Sequence, residues 1–313
     1  FCPSICLYCS FSSSPISVWK DRVDTYLDAL CREIAFGAEA YRGRILDTLY
    51  IGGGTPTTLE PAQLERLLTE IERHFDLSHL QEFTVEAGRP DSISRDKLRV
   101  LQEHGVSRIS INPQTMNQKT LEIIGRRHTV GETEAAFYLA RELGFDNINM
   151  DLIVGLPGEE LPEVEYTMKE VTKLMPDSIT VHSLAVKRAA RLNMFKDQYK
   201  EMTFTNNQEI MDLTSVYAGN AGMSPYYLYR QKNMAGNFEN VGYAKTGKAG
   251  IYNILIMEEK QSILALGAGA STKVVRASDR IDRIENVKDI NNYIERIDEM
   301  IERKRQGFVK YGK

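Results

Sequence analysis

No apolar stretch in this 313-residue chain approaches the roughly eighteen residues that a membrane-spanning helix needs, and no charged-then-apolar signal segment opens it. Those absences set the expectation of a cytoplasmic protein without a membrane span. Basic residues are not in excess: 39 Lys and Arg face 43 Asp and Glu, for a net charge of −4, which argues against a broad nucleic-acid surface. Neither a Gly-Lys-Ser/Thr phosphate loop nor a Gly-x-Gly-x-x-Gly fingerprint follows any strand pattern, and no internal repeat or low-complexity tract stands out. Cysteine is scarce, with four in all, and their spacing suits a reducing compartment better than a disulfide scaffold. The chain also lacks an initial Met, opening on Phe1, so a segment is expected ahead of it. What is present, 42% hydrophobic and 26% charged residues, is a globular composition.

Three of the four cysteines are concentrated in Phe1-Cys-Pro-Ser-Ile-Cys-Leu-Tyr-Cys9, as Cys2, Cys6 and Cys9. Thiolates at this Cys-x3-Cys-x2-Cys spacing can converge on one metal centre, and three of them can hold three irons of a cubane cluster while the fourth stays open to a ligand. A zinc knuckle short of one ligand, or a disulfide beside a spare thiol, are the alternatives. Zinc would want a fourth Cys or His close by, and no His precedes His74. Cys31 falls on the apolar stripe of Val23, Leu27, Leu30 and Ile34 and reads as a buried, inert thiol.

Beyond the cysteine loop, helical and strand patterns alternate, as in a parallel β/α protein. Strands are expected at Thr48–Ile51, Glu82–Glu86, Arg108–Asn112, Ile148–Val154 and Ser178–Leu184. Helices are expected at Val18–Tyr41, Pro61–Phe75, Arg95–His104, Asn117–Leu143 and Glu163–Met175. A curved or partial β/α barrel over residues 1–200 is the leading fold, with an open Rossmann-like sheet as its rival. Residues 201–313 read as an appended α+β lobe, with a helix near Asn206–Ala221, strands at Ile251–Met257 and Ser262–Leu266, and a long helix Lys288–Arg305.

The unusual residues fall at strand ends, where barrel enzymes place their chemistry. Gly52-Gly-Gly-Thr-Pro-Thr57 lets a ligand approach the backbone closely, although a tight turn would also use glycine. Glu86 closes its strand before a turn, Gln114 follows the third strand, and Asp151 is an acid inside an apolar strand that requires a partner. Capping of a neighbouring helix, or pairing with an Arg, would equally explain either carboxylate.

The cysteine loop, the triple-glycine Thr-Pro motif, Glu86, Gln114, Arg126 and Asp151, in this order, resemble a radical S-adenosylmethionine (SAM) enzyme. More closely the chain resembles the oxygen-independent coproporphyrinogen III oxidase group and its HemZ-type branch. The phrases Thr84-Val-Glu-Ala-Gly-Arg-Pro-Asp-Ser92, Thr180-Val-His-Ser-Leu-Ala-Val-Lys-Arg188 and Arg230-Gln-Lys-Asn-Met-Ala-Gly-Asn237 carry that likeness, which extends over essentially the whole chain. It implies an α/β fold, a partial (β/α)6 radical SAM barrel lacking its first strand, with the C-terminal lobe serving as substrate lid.

By that resemblance Cys2, Cys6 and Cys9 bind a [4Fe-4S] cluster whose open iron takes the amino and carboxylate groups of SAM. Gly53, Gly54 and Thr55 line the methionine portion. Glu86, Gln114, Arg126 and Asp151 contact SAM or its ribose, and Tyr8 packs near the adenine. Acids suit an ammonium and ribose hydroxyls, and an Arg suits a carboxylate. The implied reaction cleaves SAM reductively to methionine and a 5′-deoxyadenosyl radical, which removes a hydrogen from the β-carbon of a propionate; loss of CO2 and of one electron then leaves a vinyl group, and two such rounds turn coproporphyrinogen III into protoporphyrinogen IX. A reductase or a flavodoxin- or ferredoxin-type donor would supply electrons. Lys187, Arg188, Arg191, Arg230 and Lys232 are candidate anchors for the tetrapyrrole's propionates, or else solvated surface charges.

A haem chaperone on the same scaffold is the second reading. That group carries a His-Asn-x-x-Tyr-Trp segment where this chain has Glu239-Asn-Val-Gly-Tyr-Ala244, so the His and Trp are absent. That disfavours haem ligation through this segment, though His182 or His128 could still serve; otherwise His128 is expected to support the SAM-facing loop and His182 to be a satisfied core residue. A scaffold with a purely structural cluster would need none of Glu86, Gln114, Arg126 and Asp151.

Overall fold

The structure is a computed structural model and describes residues 1–9, 14–185, 203–230, 234–276 and 280–311. Lys187, Arg188, Arg191 and Lys232, four of the candidate anchors, lie outside the described residues.

Seven strands form the main sheet: β1 (Thr48–Ile51), β2 (Glu82–Gly88), β3 (Arg108–Gln114), β4 (Ile148–Val154), β5 (Ser178–Ser183), β6 (Ser224–Tyr229) and β7 (Asn240–Ala244). Their order is β1-β2-β3-β4-β5-β7-β6. β2 to β5 pair in parallel, and β7 turns antiparallel to both β5 and β6. Ile109, Ile111, Ile148, Met150, Ile179 and Val181 share one face of β3, β4 and β5 and are fully buried, while Ser110, Asn149 and Thr180 on the other face are buried and polar. The fold is thus the expected α/β curled parallel sheet. Two strands beyond residue 200 complete it, so the sheet runs past the boundary expected there. Pro225, which has no N–H for a ladder, is tolerated because β6 is the outermost strand.

The helices between strands begin where the sequence supplies caps. α1 is Val23–Ala40, preceded by a helical turn at Ile16–Trp19. α2 (Pro61–His74) opens with Pro61 at its first position and a capping box between Glu60 and Gln63, and it buries Leu64, Leu67, Leu68 and Ile71 on one stripe. α3 (Arg95–Glu103) is capped by Ser94. The expected single helix through 117–143 is two, α4 (Gln118–Ile123) and α5 (Val130–Glu142). Gly125, at φ +76°, ends the first, and the Thr129–Glu132 capping box starts the second. α6 is Leu161–Lys173 and α7 is Gln208–Asn220.

Three expectations in the C-terminal part are corrected. Ile251–Met257 is not a strand but most of a helix, α8 (Ile251–Glu258), because a short apolar run broken only by Asn253 carries no period that separates the two. Ser262–Leu266 contributes only an isolated bridge, Ile263 to Lys273, beside the β8 (Ser271–Val275) and β9 (Ile281–Glu285) hairpin. The final helix is broken at Arg296 into α9 (Ile290–Glu295) and α10 (Ile297–Tyr311).

Contacts divide the chain into two compact units. One comprises residues 1–18, 50–58 and 82–250; the other comprises 19–49, 59–81 and 251–313. The second unit is built on Ala29, Tyr293, Ile297 and Met300, together with a fully buried ion pair, Glu33 with Lys304 at 2.8 Å. The Glu33 carboxylate also accepts hydrogen bonds from the Tyr293 hydroxyl, Asn286 Nδ2 and the Gly267 N–H, and Lys304 Nζ donates to Asn286 Oδ1. Such complete pairing is what makes a buried charge tolerable. Cys31, on α1 in this unit, is half-buried rather than buried, and burial pushes its thiol pKa up.

Candidate active site

The site residues lie in the first unit. The cysteine loop is pinned by its backbone: Cys2 N donates to Ser14 O, Ile16 N to Cys2 O and Leu7 N to Ile124 O. Thr55 N donates to Phe1 O at 2.7 Å, which joins the glycine-rich turn to the loop. The Thr55 hydroxyl bonds the Cys2 thiol. Burial raises the Cys2 pKa, and the neighbouring Cys9 and Cys6 add to that rise, so the three sulfurs sense one another. Cys2, Cys6, Cys9 and Cys31 are free cysteines in this structure.

Tyr8 links the loop to the opposite wall. Its hydroxyl accepts from Arg126 Nη2 at 2.7 Å, while Arg126 Nη1 donates to Asn112 O at 2.9 Å. Burial pushes the Tyr8 phenol pKa well up, only partly offset by Arg126, so the phenol stays neutral. His128, two residues on, is fully buried, with neither ring nitrogen hydrogen-bonded. Burial, with Arg126 adding to it, lowers its pKa to about 4.

Glu86 meets the glycine turn. Its carboxylate accepts from the Tyr50 hydroxyl and from the Gly53 N–H. Burial pushes Glu86 up to about 7, the Tyr50 bond opposes the rise, and the charge of Asp151 reinforces it. Gly53 takes φ +104° with open space beside its Cα, a backbone that favours glycine, whereas a side chain on Gly54 would strike Phe1 O at 2.3 Å.

Asp151 receives hydrogen bonds from Asn149 Nδ2 at 2.7 Å, from His182 and from the Thr180 hydroxyl. Burial works against its ionisation, but these partners and the His182 charge win, holding the carboxyl below the usual range. His182 is satisfied at both ring nitrogens, as expected, but by groups at the candidate site: its Nε2 is 3.9 Å from Asp151, and its Nδ1 is 3.4 Å from the Tyr229 hydroxyl. Tyr50, Asn149 and Arg89 join these groups without being candidate site residues from the sequence; an aromatic near the end of a strand just before the glycine run is the signal for Tyr50.

Besides the two ring nitrogens of His128, two further polar atoms in this region have no partner. Gln114 is buried at φ +71° with Oε1 unbonded, and Arg126 Nε is likewise unbonded. A buried orphan costs ~1–3 kcal/mol, so a ligand that satisfies it is stabilised. Among the described residues no three of His, Cys, Asp and Glu are already drawn to metal-binding distances. The donor chemistry nevertheless fits a cluster held by Cys2, Cys6 and Cys9, and the orphans fit a polar ligand bearing donors and a carboxylate. Arg230 is not gathered with these groups: it pairs with Glu239 at 2.8 Å, with its side chain about half exposed.

Residues 1–171 match the family model described as the Radical SAM superfamily. The chain belongs to the Radical SAM superfamily, whose cofactors are a [4Fe-4S] cluster and SAM, and within it to the group of oxygen-independent coproporphyrinogen III oxidases and their relatives. It is 43% identical to the oxygen-independent coproporphyrinogen-III oxidase-like protein HemZ of Bacillus subtilis, over 99% of this chain and 62% of that protein. The haem chaperone HemW of Lactococcus lactis is 31% identical over 94% of this chain and 72% of its own length. The solved structure of Escherichia coli coproporphyrinogen III oxidase (HemN), a Radical SAM enzyme, matches the fold with a TM-score of 0.76 at 24% identity, covering 96% of this chain and 68% of that one. The chain thus spans about three fifths of the HemZ relative's length. Among the described residues, no helix is long and apolar enough to cross a membrane.

Proposed function

We propose that this chain carries out the oxidative decarboxylation of coproporphyrinogen III propionates to vinyl groups, as a cytoplasmic step in porphyrin formation fed by a flavodoxin-, ferredoxin- or reductase-type donor. Cys2, Cys6 and Cys9 would hold the cluster, with Gly53, Gly54, Thr55, Glu86, Gln114, Arg126 and Asp151 around SAM and Tyr8 near the adenine. When bound, these cofactors supply hydrogen-atom abstraction from an unactivated carbon. The protein's part is to bind and orient. Glu86 accepts an ammonium, Arg126 Nε meets a carboxylate, and Asp151, kept ionised by His182 and Asn149, accepts ribose hydroxyls. Residues 1–200 would act as the radical SAM core and 201–313 as the substrate lobe, with Arg230 released from Glu239 to meet a propionate.

The observation that carries this reading is a pair of acids, Glu86 bonded to Tyr50 and the Gly53 N–H and Asp151 bonded to Asn149, Thr180 and His182, beside a three-cysteine loop whose Cys2 thiol is bonded to Thr55. A structural cluster has no use for two poised carboxylates.

The haem chaperone is the second reading, supported by the HemW relatives. Against it, Asn240 in the segment 239–244 is engaged as acceptor for the Ser183 N–H at 2.8 Å, and Tyr243 is buried in β7. The test is anaerobic cluster reconstitution followed by SAM, reductant and coproporphyrinogen III. Products bearing new vinyl groups support the oxidase; tight haem binding with no vinyl product supports the chaperone.

A further inference from the structure

Arg89 follows β2 and has no task in the functions assigned above, yet it is 97% removed from solvent at the cysteine loop. Its guanidinium makes a forked pair with Asp91, Nε to Oδ1 at 2.9 Å and Nη2 to Oδ2 at 2.7 Å. The remaining nitrogen, Nη1, donates to Ser4 Oγ at 2.5 Å and to Cys6 Sγ at 3.8 Å. Ser4 in turn donates to Gly125 O at 3.2 Å. The cation is thus aimed at the middle cysteine from within the protein.

The turn that carries Arg89 is fixed independently. Ser92 Oγ donates to Arg89 O at 2.7 Å and lies 2.6 Å from Thr57 Oγ1, and Lys97 Nζ donates to Thr57 O at 2.7 Å. A buried guanidinium with one carboxylate partner and a spare donor on a sulfur is a fixed dipole whose positive end faces the thiolate. Hydrogen bonds and positive charge at a cluster's sulfurs stabilise its more negative, reduced form and so raise its potential.

We propose that Arg89 is a positioning and redox-tuning residue: it holds Ser4 and Cys6 in place and raises the reduction potential of the cluster bound by Cys2, Cys6 and Cys9, with Asp91 moderating its charge. This rests on the cluster assignment under the proposed function. The two residues act with opposite sign, which no purely structural role requires. Removing the cation lowers the potential, whereas neutralising its partner leaves the cation uncompensated and raises it.

The test is reconstitution of wild type, Arg89→Gln, Arg89→Lys and Asp91→Asn, with iron and sulfide content, the electron paramagnetic resonance spectrum of the reduced cluster, and a redox titration of its midpoint. The expected result is a downward shift for Arg89→Gln, a smaller downward shift for Arg89→Lys, and an upward shift for Asp91→Asn. If Arg89→Gln does not fold, Asp91→Asn alone carries the sign. A wild-type cluster whose midpoint is unmoved or lowered by Asp91→Asn overturns this inference alone. A wild type that assembles no cluster overturns the proposed function as well.

Discussion

The Tyr8 hydroxyl, set between two of the clustered cysteines, accepts a hydrogen bond from Arg126 Nη2 at 2.7 Å. One side chain therefore ties the cysteine loop to the wall on which a SAM carboxylate would sit, and loop order and ligand affinity depend on the same guanidinium.

Replacing Arg126 by Met should weaken SAM binding by ~10–100-fold, the worth of a charged hydrogen bond of ~1.5–3 kcal/mol. Tyr8→Phe, which leaves the cation in place, should cost only a few-fold by comparison. Equilibrium dialysis of the reconstituted protein measures both, and equal losses would contradict a direct role for Arg126.

Glu86, raised to about 7 by burial, makes SAM affinity pH-dependent. The ionised form is the one that accepts an ammonium, so affinity should rise as pH rises through about 7. Tyr50→Phe removes a bond that favours ionisation and should move that midpoint upward; Glu86→Gln should abolish it. Folding has the opposite dependence. The folded carboxyl keeps its proton to higher pH than the unfolded one, so its contribution is complete below the ordinary value of 4.5 and is lost as pH rises through about 7. Thermal melts of Glu86→Gln should consequently lose less stability than wild type between pH 5 and pH 8.

A Cβ at Gly52 would lie 2.5 Å from Tyr50 Cε1 and 2.9 Å from the Glu86 carboxyl. Gly52→Ala should separate that pair, shift the Glu86 midpoint as Tyr50→Phe does, and change the melting temperature little, because the displaced atoms belong to side chains. A midpoint identical to wild type would contradict the contact.

In the second unit, Lys304→Met alone should destabilise by ~3–5 kcal/mol, since it strands the buried Glu33 carboxylate. Adding Glu33→Gln should recover part of the loss, giving a non-additive cycle in urea denaturation.

Much of this was legible in the chain. Thr48–Ile51 and Ile148–Val154 match the expected strands residue for residue, because their apolar runs are bounded by glycine and polar turns. The break between α4 and α5 was written in Gly125 and the Thr129–Glu132 box but was hidden inside a continuous helical pattern. Ile251–Glu258 was not legible, since its apolar residues are interrupted only by Asn253 and none is fully buried. At the candidate site, the residues that carry a motif were legible as candidates. His182, Tyr50 and Arg89 were not, because their roles arise from contacts across strands and loops 31 to 83 positions apart in sequence.

The most direct measurement uses coproporphyrinogen III deuterated at the propionate β-carbons, incubated anaerobically with the reconstituted protein, SAM and a reductant. The account predicts deuterium in the 5′-deoxyadenosine formed, together with vinyl-bearing product. Vinyl product with no deuterium in the 5′-deoxyadenosine, or 5′-deoxyadenosine formed without deuterium or vinyl groups, would contradict it.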